Sequence, residues 1–187
     1  MRNCAATSAG FLVVGEREAV VGDPADPRTE VGPLINERQY RAVLAAIEQA
    51  REDGGRLLAG GDPPGRPGWF VAPTLFEDVD DDAPLARQET FGPVTALFRF
   101  STLDEALARA NAAEYGLSAA IFTSSLASAR RFTDEAEAGV IHINSPTTGA
   151  EVYVPFGGIK GSGWGPHEQG RAALDFYTES VTVYEDC

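Results

Sequence analysis

Residues 94–143 read VTALFRFSTLDEALARANAAEYGLSAAIFTSSLASARRFTDEAEAGVIHI, and the order of local signals along this stretch decides the fold. Val94 to Phe100 is a short apolar run and reads as a strand. Thr102-Leu103-Asp104-Glu105 is a full capping box, in which a hydroxyl and a carboxylate satisfy the first free N–H groups of a helix. Leu103, Ala106, Leu107 and Ala110 then fall on one face of that helix. Gly116 is expected to end it, and Leu117 to Thr123 reads as the next strand. Ser125 caps a second helix running toward Ala138, and Gly139 precedes the strand Val140-Ile141-His142-Ile143. Strand–helix–strand–helix–strand order predicts an α/β fold, a mostly parallel sheet flanked by helices with right-handed crossovers.

The flanks repeat the alternation. Phe11-Leu12-Val13-Val14 reads as a buried strand. Asn36 starts a helix with Gln39 three residues on, and Tyr40, Val43, Leu44 and Ile47 form its apolar stripe. Gly54-Gly55 stops it. Gly60 to Gly68 reads as a loop, Trp69 to Leu75 as an edge strand interrupted by Pro73, and Asp78 to Asp82 as a solvated turn. Downstream, Phe156 to Gly165 is glycine-rich, and Pro166 fits the first turn of a short helix bearing Ala172, Ala173 and Phe176. Thr178 to Tyr184 alternates as a half-exposed strand does.

The 187 residues carry 15 Lys and Arg against 28 Asp and Glu, a net charge of −13, which argues against nucleic acid as a main partner. Hydrophobic content of 43% predicts one globular core with at most an appended arm. No run approaches the roughly 20 apolar residues of a membrane span. Met1-Arg2-Asn3-Cys4 lacks a signal-peptide apolar region. Two cysteines, Cys4 and Cys187, stand at opposite ends, which is no disulfide framework and suits a reducing cytoplasm.

Few residues offer chemistry. Cys4 lies in a small-residue context, Ala5-Ala6-Thr7-Ser8-Ala9, that permits close approach of a carbonyl carbon. On these residues alone an inert thiol is the simpler reading. Glu89 begins Glu89-Thr90-Phe91-Gly92-Pro93-Val94, a rigid turn entering a strand. A carboxylate there can accept from paired ribose hydroxyls, although turn chemistry alone explains the Gly and Pro. Pro155 to Gly165 contains Gly157, Gly158, Gly161, Gly163 and Gly165, but no strand leads into a long helix there, so the dinucleotide fingerprint fails its context. It reads instead as tight backbone lining a cavity, with Phe156 as an apolar wall. His142 and His167 lack a partner at ligand spacing, so no metal site is expected. No Gly-x-Ser-x-Gly elbow is present.

Taken in order, the segments resemble the C-terminal part of the NAD(P)-dependent aldehyde dehydrogenases. Asn3-Cys4-Ala5-Ala6-Thr7-Ser8 looks like the family's catalytic-cysteine segment. Gly22-Asp23-Pro24 through Val31-Gly32-Pro33-Leu34-Ile35, Glu89 to Val94, Tyr115 to Ala119 with Phe122-Thr123, and Asn144 with Pro155 to Gly163 match later family motifs. The resemblance implies that Cys4 attacks an aldehyde carbon to give a thiohemiacetal, that hydride passes to NAD or NADP, and that water hydrolyses the resulting thioester. It implies that Glu89 holds the nicotinamide ribose, that Phe91 packs beside the nicotinamide, and that Phe156 lines the substrate tunnel. The loop from Ser145 to Gly149, with Thr147 and Thr148, would set side-chain fit. Glu168-Gln169-Gly170, Phe176-Tyr177-Thr178-Glu179 and Thr182-Val183-Tyr184 look like members acting on 2-oxoglutarate semialdehyde. Arg87 and Arg171 read as surface residues.

By the same resemblance, 1–165 is the catalytic domain, 166–177 a connecting helix and 178–187 an arm that adds to a neighbouring subunit's sheet, giving a homo-oligomer. Met1 and Arg2 stand where the family carries Gly-Gln, and family chains are well over twice this long. The dinucleotide-binding domain, the general-base glutamate and the oxyanion asparagine are therefore expected to lie outside this chain. The isolated chain is expected to be inactive as a dehydrogenase, and a non-catalytic assembly module is the competing expectation.

Overall fold

Asn36 sets the first helix. Its side-chain oxygen accepts the Gln39 N–H at 2.9 Å, and helix α1 runs Glu37–Glu52. The stripe Val43, Ile47 and Ala50 is buried on its inner face. At the other end Gly54 takes φ +88, Gly55 N–H bonds to Ala50 O and Gly54 N–H to Arg51 O, the double closure of a Schellman motif. The computed structural model describes residues 19–149 and 151–186. The chain divides into two compact units with the boundary between Phe100 and Ser101.

In the first unit α1 is followed by β1 (Arg56–Ala59), β2 (Thr74–Glu77), the short helix α2 (Pro84–Arg87) and β3 (Val94–Leu97). The sheet order is β1-β2-β3. β2 and β3 are parallel, with Thr74 opposite Val94 and Glu77 opposite Leu97. β1 runs antiparallel to β2 along the edge. β2 is buried at all four positions, as a central strand covered on both faces must be. Val43, Ile47, Ala50, Val71, Phe76, Val79 and Ala83 form one core, each large member contributing about 1.5–3 kcal/mol of burial.

The second unit contains α3 (Leu103–Asn111), β4 (Tyr115–Gly116), β5 (Ser118–Ile121), α4 (Leu126–Glu135), β6 (Val140–Ile143), β7 (Ile159–Lys160) and α5 (Ala172–Tyr177). Thr102 and Ser125 cap α3 and α4 through their side chains, as their spacing predicts. β5 and β6 pair in parallel, Ser118 opposite Val140 through Ile121 opposite Ile143. β4 and β7 form a two-residue antiparallel pair. Leu107, Ala129 and Phe132 are the buried apolar side chains of the two longer helices.

Several boundaries differ from the sequence reading. The strand expected at Trp69–Leu75 begins at Thr74, because Pro73 lacks the N–H a ladder needs and the pairing starts one residue later, where Thr74 N–H bonds to Pro93 O. α3 ends at Asn111 rather than at Gly116, which belongs to β4. The helix expected from Pro166 begins only at Ala172. Glu168 is bridged to Phe156, and Gln169 and Gly170 have φ +70 and +52, so the intervening backbone cannot be helical. Residues 178–184 form no strand with any described residue. The apolar content is organised as two units rather than one. The strand expected at Phe11–Val14 lies outside the described residues.

Candidate active site

Three segments carry the candidate residues that the structure describes, one in the first unit and two in the second. In the first unit, α2 begins with Pro84 and ends at Arg87 with Gln88 as its C-cap, and the chain then crosses Glu89, Thr90 and Phe91 before β3. Gly92 is required by its neighbour: a Cβ there would lie 2.5 Å from Val43 Cγ2 on α1. Val94 N–H closes back on Gly92 O at 2.8 Å. Phe91 takes φ +50, a left-handed conformation costly for an aromatic residue, and its ring is 71% exposed.

That turn is held from α1. The Gln39 side-chain nitrogen donates to Thr90 O at 2.9 Å and to Phe91 O at 3.1 Å. Glu89 is exposed, and its carboxylate has no hydrogen bond or ion pair among the described residues. Among the described residues its acceptor capacity is unused, which suits it to hydroxyl donors. Arg87, on the same helix end, is engaged by Asp82 at 2.6 Å.

In the second unit, β6 delivers a polar loop. Asn144 takes φ +57 and ties the strand end to the chain after β5. Its Oδ1 accepts Thr123 N–H at 2.8 Å and its Nδ2 donates to Thr123 O at 3.0 Å. Ser145 Oγ lies 3.4 Å from His142 Nδ1, and Thr147 and Thr148 follow, exposed. Phe156 lies on a separate segment, half-buried and held by two backbone bonds with Glu168, N–H to O at 2.7 Å and the reverse at 3.1 Å. The glycines around it reflect close backbone approach: a Cβ on Gly139 would lie 1.9 Å from Gly157 O.

Glu89 and Phe91 are therefore placed together, as are His142 and Ser145, while Phe156 belongs to the glycine-rich segment. Cys4 lies outside the described residues. Among the described residues no three His, Cys, Asp or Glu side chains are grouped to hold a metal. No helix among them is long and apolar enough to cross a membrane. Two residues that set this geometry are not evident from the sequence pattern. Gln39 fits a capping box by its spacing, and its one distinguishing signal is its amide, which can donate where a glutamate cannot. Asn144 is of one of the few types that tolerate a left-handed backbone.

Comparison with known proteins gives these segments a common context. A betaine aldehyde dehydrogenase of Cereibacter sphaeroides is 48% identical over 164 residues, covering 88% of this chain and 34% of the relative. An alpha-ketoglutarate semialdehyde dehydrogenase of Haloferax volcanii is 48% identical over 163 residues, covering 83% of this chain and 33% of the relative. The chain thus spans about a third of the length of these relatives. The NAD+ complex of an aldehyde dehydrogenase from Bacillus cereus superposes with a TM-score of 0.90 at 36% identity, covering 95% of this chain and 36% of that one. An α/β architecture shared at that level, with the Glu89 and Phe156 segments both inside residues 12–183 matched by the family's model, leaves one assignment: the chain belongs to the aldehyde dehydrogenase family.

Proposed function

We propose that this chain is the cysteine-bearing catalytic portion of an NAD(P)-dependent aldehyde dehydrogenase, oxidising an aldehyde to a carboxylic acid. The observation that carries the proposal is the Glu89–Phe91 turn, a carboxylate without a partner among the described residues, near an exposed ring on a backbone fixed by two hydrogen bonds. The residues present suit a nicotinamide nucleotide. Glu89 would accept from the ribose hydroxyls, and Phe91 would offer its ring to the nicotinamide side. When bound, that group supplies the hydride acceptor.

The chain's own chemistry centres on Cys4. Its thiolate adds to the aldehyde carbon, forming a C–S bond and a thiohemiacetal. After two-electron oxidation the thioester is opened by water, which releases the acid and restores the thiol. Phe156 would supply an apolar wall, and Ser145, Thr147 and Thr148 would supply uncharged hydroxyls toward the substrate side chain. The C-terminal residues favour 2-oxoglutarate semialdehyde, and betaine aldehyde is the competing candidate on the names of similar relatives. The two carry opposite charges, so competition between them for Cys4 decides the matter.

The segment after α5 is exposed, with Val181 82% and Tyr184 93% accessible, which supports its reading as an arm that adds to the sheet of a second copy. Sedimentation velocity of the chain, compared with one ended after Tyr177, should show loss of the assembled species; a monomer in both cases would exclude the arm. An assembled species that cannot be acylated would favour the non-catalytic module. The test of the catalytic reading is acylation by p-nitrophenyl acetate. A burst of nitrophenolate with a 42-dalton gain on the Cys4 peptide, as expected for about one acetyl group per thiol, and its loss in Cys4→Ser, are expected. Equal hydrolysis by the two proteins would end the proposal.

A further inference from the structure

Gln39 occupies the third position of α1, where a capping box would return its side chain to the backbone N–H of Asn36. It does something else. Asn36 caps the helix, and the Gln39 amide reaches 51 and 52 residues along the chain to the carbonyl oxygens of Thr90 and Phe91. A primary amide has two N–H donors, and here they meet two acceptors on consecutive residues.

Among the described residues, the other contacts shown at this turn fall at Gly92 to Val94, after Thr90 and Phe91. The turn lies between the end of α2 and the start of β3, outside the ladder, and Glu89 and the Phe91 ring are both exposed, so burial does not fix them. The left-handed φ of Phe91 persists only where surrounding contacts over-determine it. We infer that Gln39 is a positioning residue, a donor clamp that holds the Thr90–Phe91 backbone and so sets the direction of the Glu89 carboxylate and the Phe91 ring. Its value for cofactor binding rests on the function proposed above; the clamp itself does not.

The chemistry separates this role from helix capping. Gln39→Glu preserves a capping box and places a negative charge in the first turn, which favours the helix. It also points an acceptor-only carboxylate at two carbonyl oxygens, so the clamp is lost. Gln39→Met keeps the length without any donor, and Gln39→Lys restores donors.

The experiment is 15N relaxation on the chain and these three variants, with thermal melts and an NAD titration on the same samples. Order parameters at Thr90, Phe91 and Gly92 should be near the rigid value of about 0.85 in the parent and fall below about 0.6 in Gln39→Glu and Gln39→Met. Gln39→Lys should recover them, and Gln39→Glu should melt no lower than the parent. In the titration, shifts at Glu89 and Phe91 should weaken about fivefold or more in Gln39→Glu, the cost of lost preorganisation. The order parameters decide the clamp whether or not the parent shows NAD-dependent shifts. Unchanged order parameters in both donor-free variants, or failure of both to fold, overturn the positioning role.

Discussion

The Lys160 ammonium lies 2.7 Å from the carbonyl oxygen of Asn111, 49 residues earlier in the chain. It also donates to Ala113 O at 3.1 Å and pairs with the Glu137 carboxylate. A cation on the carbonyls at and just beyond the end of α3 does there what a C-terminal glycine does elsewhere, and it sits in the negative field of the helix end. Asn111 completes the joint, its side chain donating to Glu135 O and accepting Glu137 N–H, both at 2.8 Å. The lysine of the glycine-rich motif is thus fully engaged in holding α3, α4 and β7 together.

Lys160→Met should therefore destabilise the second unit by about 1.5–3 kcal/mol, the scale of hydrogen bonds to a charged group. Glu137→Gln should cost under about 1 kcal/mol, because that carboxylate is half exposed and the pair is screened. Denaturant melts of the two variants check the order of the effects, and equal losses would show that the ion pair, rather than the cap, carries the stabilisation.

Glu77 makes the corresponding joint in the first unit. Its side chain is 6% exposed at the end of β2, and its two oxygens are taken by Arg56 from β1 and by Arg99, the latter at 3.1 Å. Both arginines are more than half exposed, so the charge pairs at the rim of the core rather than within it. Removing both cations with Arg56→Met and Arg99→Met should cost about 3–5 kcal/mol by leaving a buried carboxylate uncompensated. Adding Glu77→Leu to that double variant should recover part of the loss. Chemical denaturation of the three proteins tests this, and a double variant as stable as the parent would contradict it.

What could be read from the sequence was what is local. α1 was legible from cap to stop because Asn36, the Val43 and Ile47 stripe, and Gly54 act within a few residues of one another. The Thr102 and Ser125 caps and the parallel β5–β6 pair followed from the same short-range signals. The end of α3 was misplaced because its cap arrives from Lys160, and the segment 166–171 was misread because Glu168 bonds to Phe156. Within the site, Glu89, Phe91 and the Ser145 loop are candidates by motif. The Gln39 clamp is not, since its acceptors lie 51 and 52 residues away and no pattern in either segment announces them.

Gly139 shows how little room the glycine-rich segment leaves. A methyl group there would lie 1.9 Å from Gly157 O and 2.8 Å from Gly157 C, both backbone atoms that no rotamer change can move. Gly139→Ala should cost about 3 kcal/mol, at the upper end of overpacking, and displace the turn that leads from Phe156. Gly65→Ala is the control. That glycine has φ +65 with nothing within 4 Å of the added carbon, so only a left-handed backbone penalty of about 1 kcal/mol is expected. Melting curves check the ranking, and backbone shifts at 155–158 should move only in the first variant.

Tyr177 offers a pH test of the same region. Its hydroxyl donates to Glu168 Oε2 at 2.7 Å, and the hydrogen bond to that carboxylate, with the negative charge beside it, raises the phenol above its ordinary value of 10.0. A group whose pKa is raised on folding stabilises the fold below its unfolded value and loses that contribution as pH rises through the folded value. The bond from α5 to Glu168 should thus be intact at neutral pH and released only above pH 10. In a titration followed by the tyrosine ring-carbon resonances, Tyr177 should ionise above the ordinary phenol range. Glu168→Gln should lower it toward that range by removing the charge. If the phenol titrates identically in the parent and the variant, Glu168 is not its partner in solution, and the tie from α5 to the strand segment of Phe156 is absent as well.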